Sequence, residues 1–325
     1  MRRNSAPLFI FCLFIGFVLV AGCTQQISPK DTSDKTGAVR ETVAVTPTPT
    51  QDIAKPLEPT TTELPKLNVP PGSIAKYYVY TLNGTQGVIG LALPTSEYES
   101  LKAQGKPKMA ESGNSDVTYF QNFMNEPTQQ KYVQELADEI KKKSSSPDDQ
   151  VRIAVSLVQH IPYHHGDVFR YPYEVMYDGT GICGEKSMLL ALLLKDLGYG
   201  SCAFYFKTEG HMTAGIRVAA PYDYKGSGYA FIETTEPKII TYNQSYFPEF
   251  GGELTSDPIV VPEGTGKEYT GVAENYRDAQ NWARIQSEIH SKDIPVADRA
   301  LDRTLEAKYD LGYFTCQNCS LPTLA

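Results

Sequence analysis

Met188-Leu189-Leu190-Ala191-Leu192-Leu193-Leu194 lies at the centre of a helical stretch, Ser187 to Leu197, that is apolar nearly all the way round. A surface helix keeps a polar face, and one without it is buried. This segment therefore requires a core built around it, and Gly198 supplies the left-handed cap that ends it. The chain of 325 residues is long enough for one large core or two small ones. Six cysteines are too few for a disulfide-dense scaffold, so stability need not rest on cross-links.

The residues leading into that helix are chemical in character. Tyr177-Asp178-Gly179-Thr180-Gly181-Ile182-Cys183 is a glycine-bearing turn that delivers a cysteine onto the helix start. There a thiol meets the positive end of the helix dipole, which favours thiolate over thiol and makes the sulfur a better nucleophile. Gly179 and Gly181 let backbone amides, that of Cys183 among them, approach a developing oxyanion, and Tyr177 is a candidate on the oxyanion side. A base is needed next. His211 follows 28 residues later, where an apolar strand begins, and a neutral imidazole there could take the thiol proton. Glu233 ends the strand Tyr229–Ile232, 22 residues after His211, and two adjacent antiparallel strands could set its carboxylate beside the imidazole.

These three blocks, a glycine-preceded Cys183 on a buried helix, His211 on the following strand and an acidic residue on the next, resemble the transglutaminase-like superfamily. That papain-related group contains transglutaminases, peptide glycanases and many microbial thiol peptidases. The similarity spans about Thr128 to Pro237 and implies an α+β fold, with the nucleophile at the N-terminus of a buried helix packed on an antiparallel sheet. By that resemblance Cys183 is the nucleophile, His211 the general base and acid, and Glu233 the orienting group. The family's third residue is most often aspartate, so the longer Glu233 is a departure. The implied activity is that of a thiol hydrolase, a peptidase or amidase working through a thioester acyl-enzyme on a peptide or protein substrate. A cross-linking transglutaminase and a non-catalytic module that binds peptide or glycan in the same cleft are the alternatives. No cofactor or metal is implied, and the acidic loop clusters of a calcium enzyme are missing from the sequence.

Each residue also has a plainer reading. Cys183 could be a buried packing cysteine, although the charged Glu185-Lys186 beside it suggests a helix mouth. Glu233 could instead cap a turn with Thr234 and Thr235. His164 and His165 could rival His211 or join a zinc site, but no paired-ligand spacing supports that. Cys202 reads as strand packing. Cys316 and Cys319 form a lone CxxC for which a disulfide is the default. Tyr222, Tyr224, Tyr229, Tyr242 and Tyr246 could line a groove or pack across a half-wet sheet. Asn83, Asn243 and Asn318 fit a permissive glycosylation pattern.

The expected organisation has five parts. Arg2 and Arg3 precede an uncharged apolar run from Ala6 to Gly22, the form of an export signal, and Val20-Ala21-Gly22-Cys23 resembles the lipobox of prokaryotic lipoproteins. Residues 1–23 are thus expected to be a signal peptide with Cys23 as the lipidated residue, placing the protein on the outer face of the cytoplasmic membrane. Residues 24–76 hold no Phe, Trp or Tyr and are rich in Thr and Pro, as a disordered spacer would be. A β-rich segment, 77–127, contains runs on either side of an Asn83-Gly84 turn. The core, 128–250, opens with a helix from Glu126-Pro127-Thr128 to Lys143 and a second ending before Ile161-Pro162; strands follow at Cys202–Phe206, Thr213–Val218 and Tyr229–Ile232. Residues 251–325 are an extension without an assigned role. The net charge of −8, with no basic stripe, argues against nucleic acid as a partner.

Overall fold

The computed structural model describes residues 64–108, 115–164, 166, 168–243, 252–289 and 295–311. Two strands open the fold, β1 (Ser73–Leu82) and β2 (Thr85–Pro94), in an antiparallel hairpin with Leu82 opposite Thr85. Asn83 and Gly84 form the two-residue turn, both with positive φ (51° and 76°), which is the geometry that draws Asn-Gly to hairpins. Four helices follow: α1 (Thr95–Ala103), α2 (Asp116–Met124), α3 (Pro127–Lys143) and α4 (Pro147–Gln159). The last two begin as helices should, with Pro127 and Pro147 in the first turn and the Glu126 and Ser146 side chains accepting from Thr128 N and Asp149 N. The buried face of α3 is Tyr132, Val133, Leu136, Ala137 and Ile140, the residues its periodicity selects.

A short helix α5 (Pro172–Asp178) leads into α6 (Cys183–Asp196), and every residue of α6 from Gly184 to Leu194 is buried. The sheet comes next: β3 (Gly200–Phe206), β4 (His211–Arg217), β5 (Tyr229–Ile232) and β6 (Ile259–Thr265), all antiparallel in the order β5-β4-β3-β6. It lies against one side of α6, while α3, α4 and α5 pack on the others, which explains why a helix without a polar face is stable here. Each of its fully buried leucines contributes about 2 kcal/mol through the area removed from water. The last described elements are α7 (Val272–Ile289) and α8 (Val296–Tyr309), which share a small core of Trp282, Ile285, Leu305, Ile239 and Tyr242.

The architecture is α+β. Its boundaries differ from those expected in two places. β1 starts at Ser73, inside the expected spacer, because Ile74 pairs with Leu93 and packs on the main core. The outer strand β6 comes from beyond residue 250, and Val261, Tyr269 and Val272 belong to the same core as the hairpin and α3, so part of the supposed extension completes the domain. The signal segment, the lipidation residue Cys23, the spacer up to residue 63, Cys316, Cys319, Asn318, Tyr246 and His165 lie outside the described residues. Among the described residues no helix is long and apolar enough to cross a membrane.

Candidate functional site

The chain reaches Cys183 through a tightly determined turn. α5 ends at Gly179, whose φ of 74° puts it in the left-handed region where a Cβ is strained. Gly181 then runs parallel to Tyr163, with Gly181 N donating to Pro162 O (3.0 Å) and His164 N to Gly181 O (3.4 Å). Ile182 is extended and serves as N-cap; it has no side-chain oxygen to offer, so the cap is made from the other direction, by Glu185 Oε2 accepting from Ile182 N (3.0 Å). Cys183 is thereby the first residue of α6, half-buried, and its amide is one of those a helix N-terminus leaves without an intrahelical partner. Gly184 leaves room for its neighbours: a Cβ there would stand 2.3 Å from Phe169 Cε1 and 2.9 Å from Met212 Sδ, so those side chains would have to shift.

Glu185 is fully buried and holds the turn together. Its Oε1 accepts from Arg170 N (2.8 Å) and Nε (3.1 Å), and its Oε2 from Arg170 Nη2 (2.8 Å). The same guanidinium reaches Asp178 Oδ2 (2.6 Å) and Thr180 O (2.8 Å), so one arginine fastens α5, the glycine turn and α6. Such a fork is among the stronger polar contacts available to a protein.

His211 is the first residue of β4 and Glu233 follows the last residue of β5. Ala214 faces Ile232 across those strands, so His211 and Glu233 are diagonal neighbours on one face of the sheet. His211 Nε2 and Glu233 Oε2 are 3.1 Å apart, with both side chains buried. The other carboxylate oxygen, Oε1, accepts from Thr234 N (2.9 Å), Thr235 N (2.8 Å) and Thr235 Oγ1 (2.7 Å). The turn cap and the histidine partner, which the sequence presents as alternatives, are therefore both made, one oxygen to each. The length of glutamate permits this.

The electrostatics follow from the geometry. Burial works against charge on His211, but the Glu233 carboxylate and hydrogen bonds to Cys183 and Glu233 outweigh it, and the imidazole is held protonated well above its ordinary range. Burial likewise opposes charge on Glu233, yet His211 and the Thr235 donors bring its carboxyl below the usual value. The structure thus brings Cys183, His211 and Glu233 together.

Tyr177 is held elsewhere. Its ring stacks on Tyr98 with centroids 4.1 Å apart, and its hydroxyl pairs with Thr95 Oγ1 at 2.9 Å. His164 sits beside the glycine turn through its backbone. Cys202 is buried in β3 among Phe204, Phe206 and Phe231, and burial raises its thiol well above the ordinary value, as fits a packing residue. Among the described residues the tyrosines do not form one groove: Tyr224 and Tyr229 join that aromatic cluster, Tyr222 meets Tyr276, and Tyr242 packs with Trp282.

The charged Glu185-Lys186, which in sequence suggests that Cys183 stands at a helix mouth, is itself fully buried. Sequence reasoning passed over Arg170 and Gln159. A signal was present: two opposite charges inside a helix with no polar face can be accommodated only if each finds buried partners.

No protein-family profile matches the chain, and no curated protein matches it. Among solved structures, one described as "Crystal structure of a TGase" is 16% identical, with 49% of this chain and 43% of that chain covered and a TM-score of 0.26. The chain thus spans less than half the length of that neighbour.

Proposed function

We propose that this protein is a thiol-dependent acyl-transfer enzyme of the transglutaminase-like type, a peptidase or amidase in which Cys183, His211 and Glu233 act as nucleophile, general base and acid, and orienting carboxylate. The observation that carries the reading is the placement of His211 between Glu233 and Cys183, with the thiol on the first residue of a buried helix. In the proposed cycle the Cys183 sulfur attacks an amide carbon of a peptide or protein, and the oxyanion meets backbone N–H groups at the head of α6. The His211 imidazolium gives its proton to the departing amine, leaving a thioester on Cys183. Water then attacks the thioester while His211 takes back a proton, and a carboxylic acid leaves with the thiol restored. Glu233 keeps Nε2 occupied throughout, fixing the ring with Nδ1 towards sulfur. The leader and Cys23 extend the proposal to a lipid-anchored protein facing the outside of the cytoplasmic membrane.

The test is labelling of the full-length chain by iodoacetamide across pH, with adduct positions read by mass spectrometry, alongside turnover of a peptide library with and without a fluorescent primary amine. Labelling at Cys183 well below pH ~8.5, where an ordinary thiol is mostly protonated, slowed by His211→Ala and accompanied by peptide cleavage that Cys183→Ala abolishes, is the expected result. Incorporation of the amine in place of cleavage would assign the transamidation alternative. Labelling at Cys183 no faster than an ordinary thiol and indifferent to His211 would overturn the enzyme and leave a binding module.

A further inference from the structure

The nucleophile helix carries a charge that the proposed chemistry does not use. Lys186 lies one turn after Cys183 and is fully buried. An ammonium has three donors, and here they go to three backbone carbonyls: Gln159 O (3.2 Å), Ile161 O (2.6 Å) and Thr235 O (3.3 Å). These belong to the end of α4, the segment that runs beside the glycine turn, and the turn whose amides hold Glu233 Oε1. Gln159 tightens the same place from the other side, its Nε2 donating to Glu233 O (2.8 Å) and Lys238 O (2.9 Å). A further contact, Ser187 Oγ with Thr234 Oγ1 at 3.0 Å, ties α6 to the turn.

Burying an ammonium is expensive, and a well-packed apolar side chain of similar volume often serves stability as well or better. Burial pulls Lys186 down to about 7, while the negative charges of Glu233, Cys183 and Glu236 act to keep its proton on. Around the Glu233 carboxylate the site thus sets two cationic side chains, His211, which touches it, and Lys186, which reaches the turn that carries it. Such a set has to be satisfied as a whole.

We infer that Lys186, together with Gln159, is a positioning residue of this site: its charge and three donors lock the 233–235 turn to the head of the nucleophile helix and so fix where Glu233 holds the His211 ring. The inference rests on the reading proposed above. Its test uses the full-length chain and needs no substrate. Iodoacetamide labelling at Cys183 is followed against pH in wild type, His211→Ala, Lys186→Met and Gln159→Leu, with the His211 ring nitrogens observed by NMR and folding checked by thermal melting. Lys186→Met is expected to melt cooperatively yet label about tenfold more slowly near pH ~6, the equivalent of about one unit in the profile, and to change the His211 nitrogen shifts. If Lys186→Met does not fold, Gln159→Leu, which strands no charge, is expected to shift the profile in the same direction. Wild-type profile and nitrogen shifts in a folded Lys186→Met, or in Gln159→Leu where the lysine variant is unfolded, would overturn the inference while His211-dependent labelling in wild type kept the enzyme reading intact. Loss of that dependence in wild type itself would overturn both.

Discussion

At the scale of single residues, the His211–Glu233 pair makes stability depend on pH in both directions. Glu233 has a carboxyl value below its ordinary 4.5, so its contribution is present above that value and is lost as pH falls through the lowered one. His211 is raised above 6.5, so its contribution is complete below 6.5 and is lost as pH rises through the raised value. The pair therefore supports the fold most between about 4.5 and 6.5. Glu233→Gln keeps the shape and removes the charge, and it should flatten both flanks of a melting-temperature profile; a profile as steep as that of wild type would count against the ion pair. The meeting of His211 and Glu233 was legible because they lie at facing ends of adjacent antiparallel strands. Arg170 was not, since its work is to reach Glu185, Asp178 and Thr180, and only folding brings those into range. Tyr177 is close to Cys183 in sequence, while stacking on Tyr98 and pairing with Thr95 direct it to α1.

At the scale of elements, length alone did not decide what was readable: the four-residue β5 was expected, whereas α7 and α8, with 18 and 14 residues, fell in the stretch left without a role. The hairpin, α3, α4 and α6 announced themselves by an Asn-Gly turn, by Pro127 in the first helical turn, by apolar spacing from Val151 onward and by a run of leucines; α4 in fact begins earlier, at Pro147, in a stretch that reads as loop. α2 and α5 went unread because nine and seven residues give little periodicity. β6 was missed for another reason: its place is set by the free edge of β3, a partner nearly sixty residues earlier in the chain. The consequence can be measured. A chain ending at residue 250 would leave β3 as an unprotected edge carrying buried Cys202, Ala203, Phe204 and Phe206, and would remove Val261, Tyr269 and Val272 from the core. Such an edge invites pairing with other chains, so this truncation is expected to aggregate and to lose cooperative melting. A soluble product with the wild-type melting curve would show the domain to be complete without β6.

At the scale of the molecule, the proposed anchoring yields a separate prediction. Cys23→Ala should move the protein from the membrane pellet to the soluble fraction on cell fractionation, and retention in the pellet would count against lipidation at that residue. The fold also ties its two ends to its middle. Asp310, in the left-handed position that ends α8, accepts from Thr81 Oγ1 (3.2 Å) of the first hairpin and meets His160 Nε2 (2.7 Å) at the end of α4. His160 follows Gln159, whose side chain holds the backbone of Glu233. These contacts join residues 229 and 150 positions apart, separations that make assembly slow because large loops close before any contact rewards them. During synthesis, therefore, Cys183, His211 and Glu233 all leave the ribosome well before Asp310 does. A chain interrupted in that interval would carry Cys183, His211 and Glu233 and still lack the fastening between the first hairpin and α8, so the order of manufacture puts a delay between having these side chains and having the finished frame that holds them.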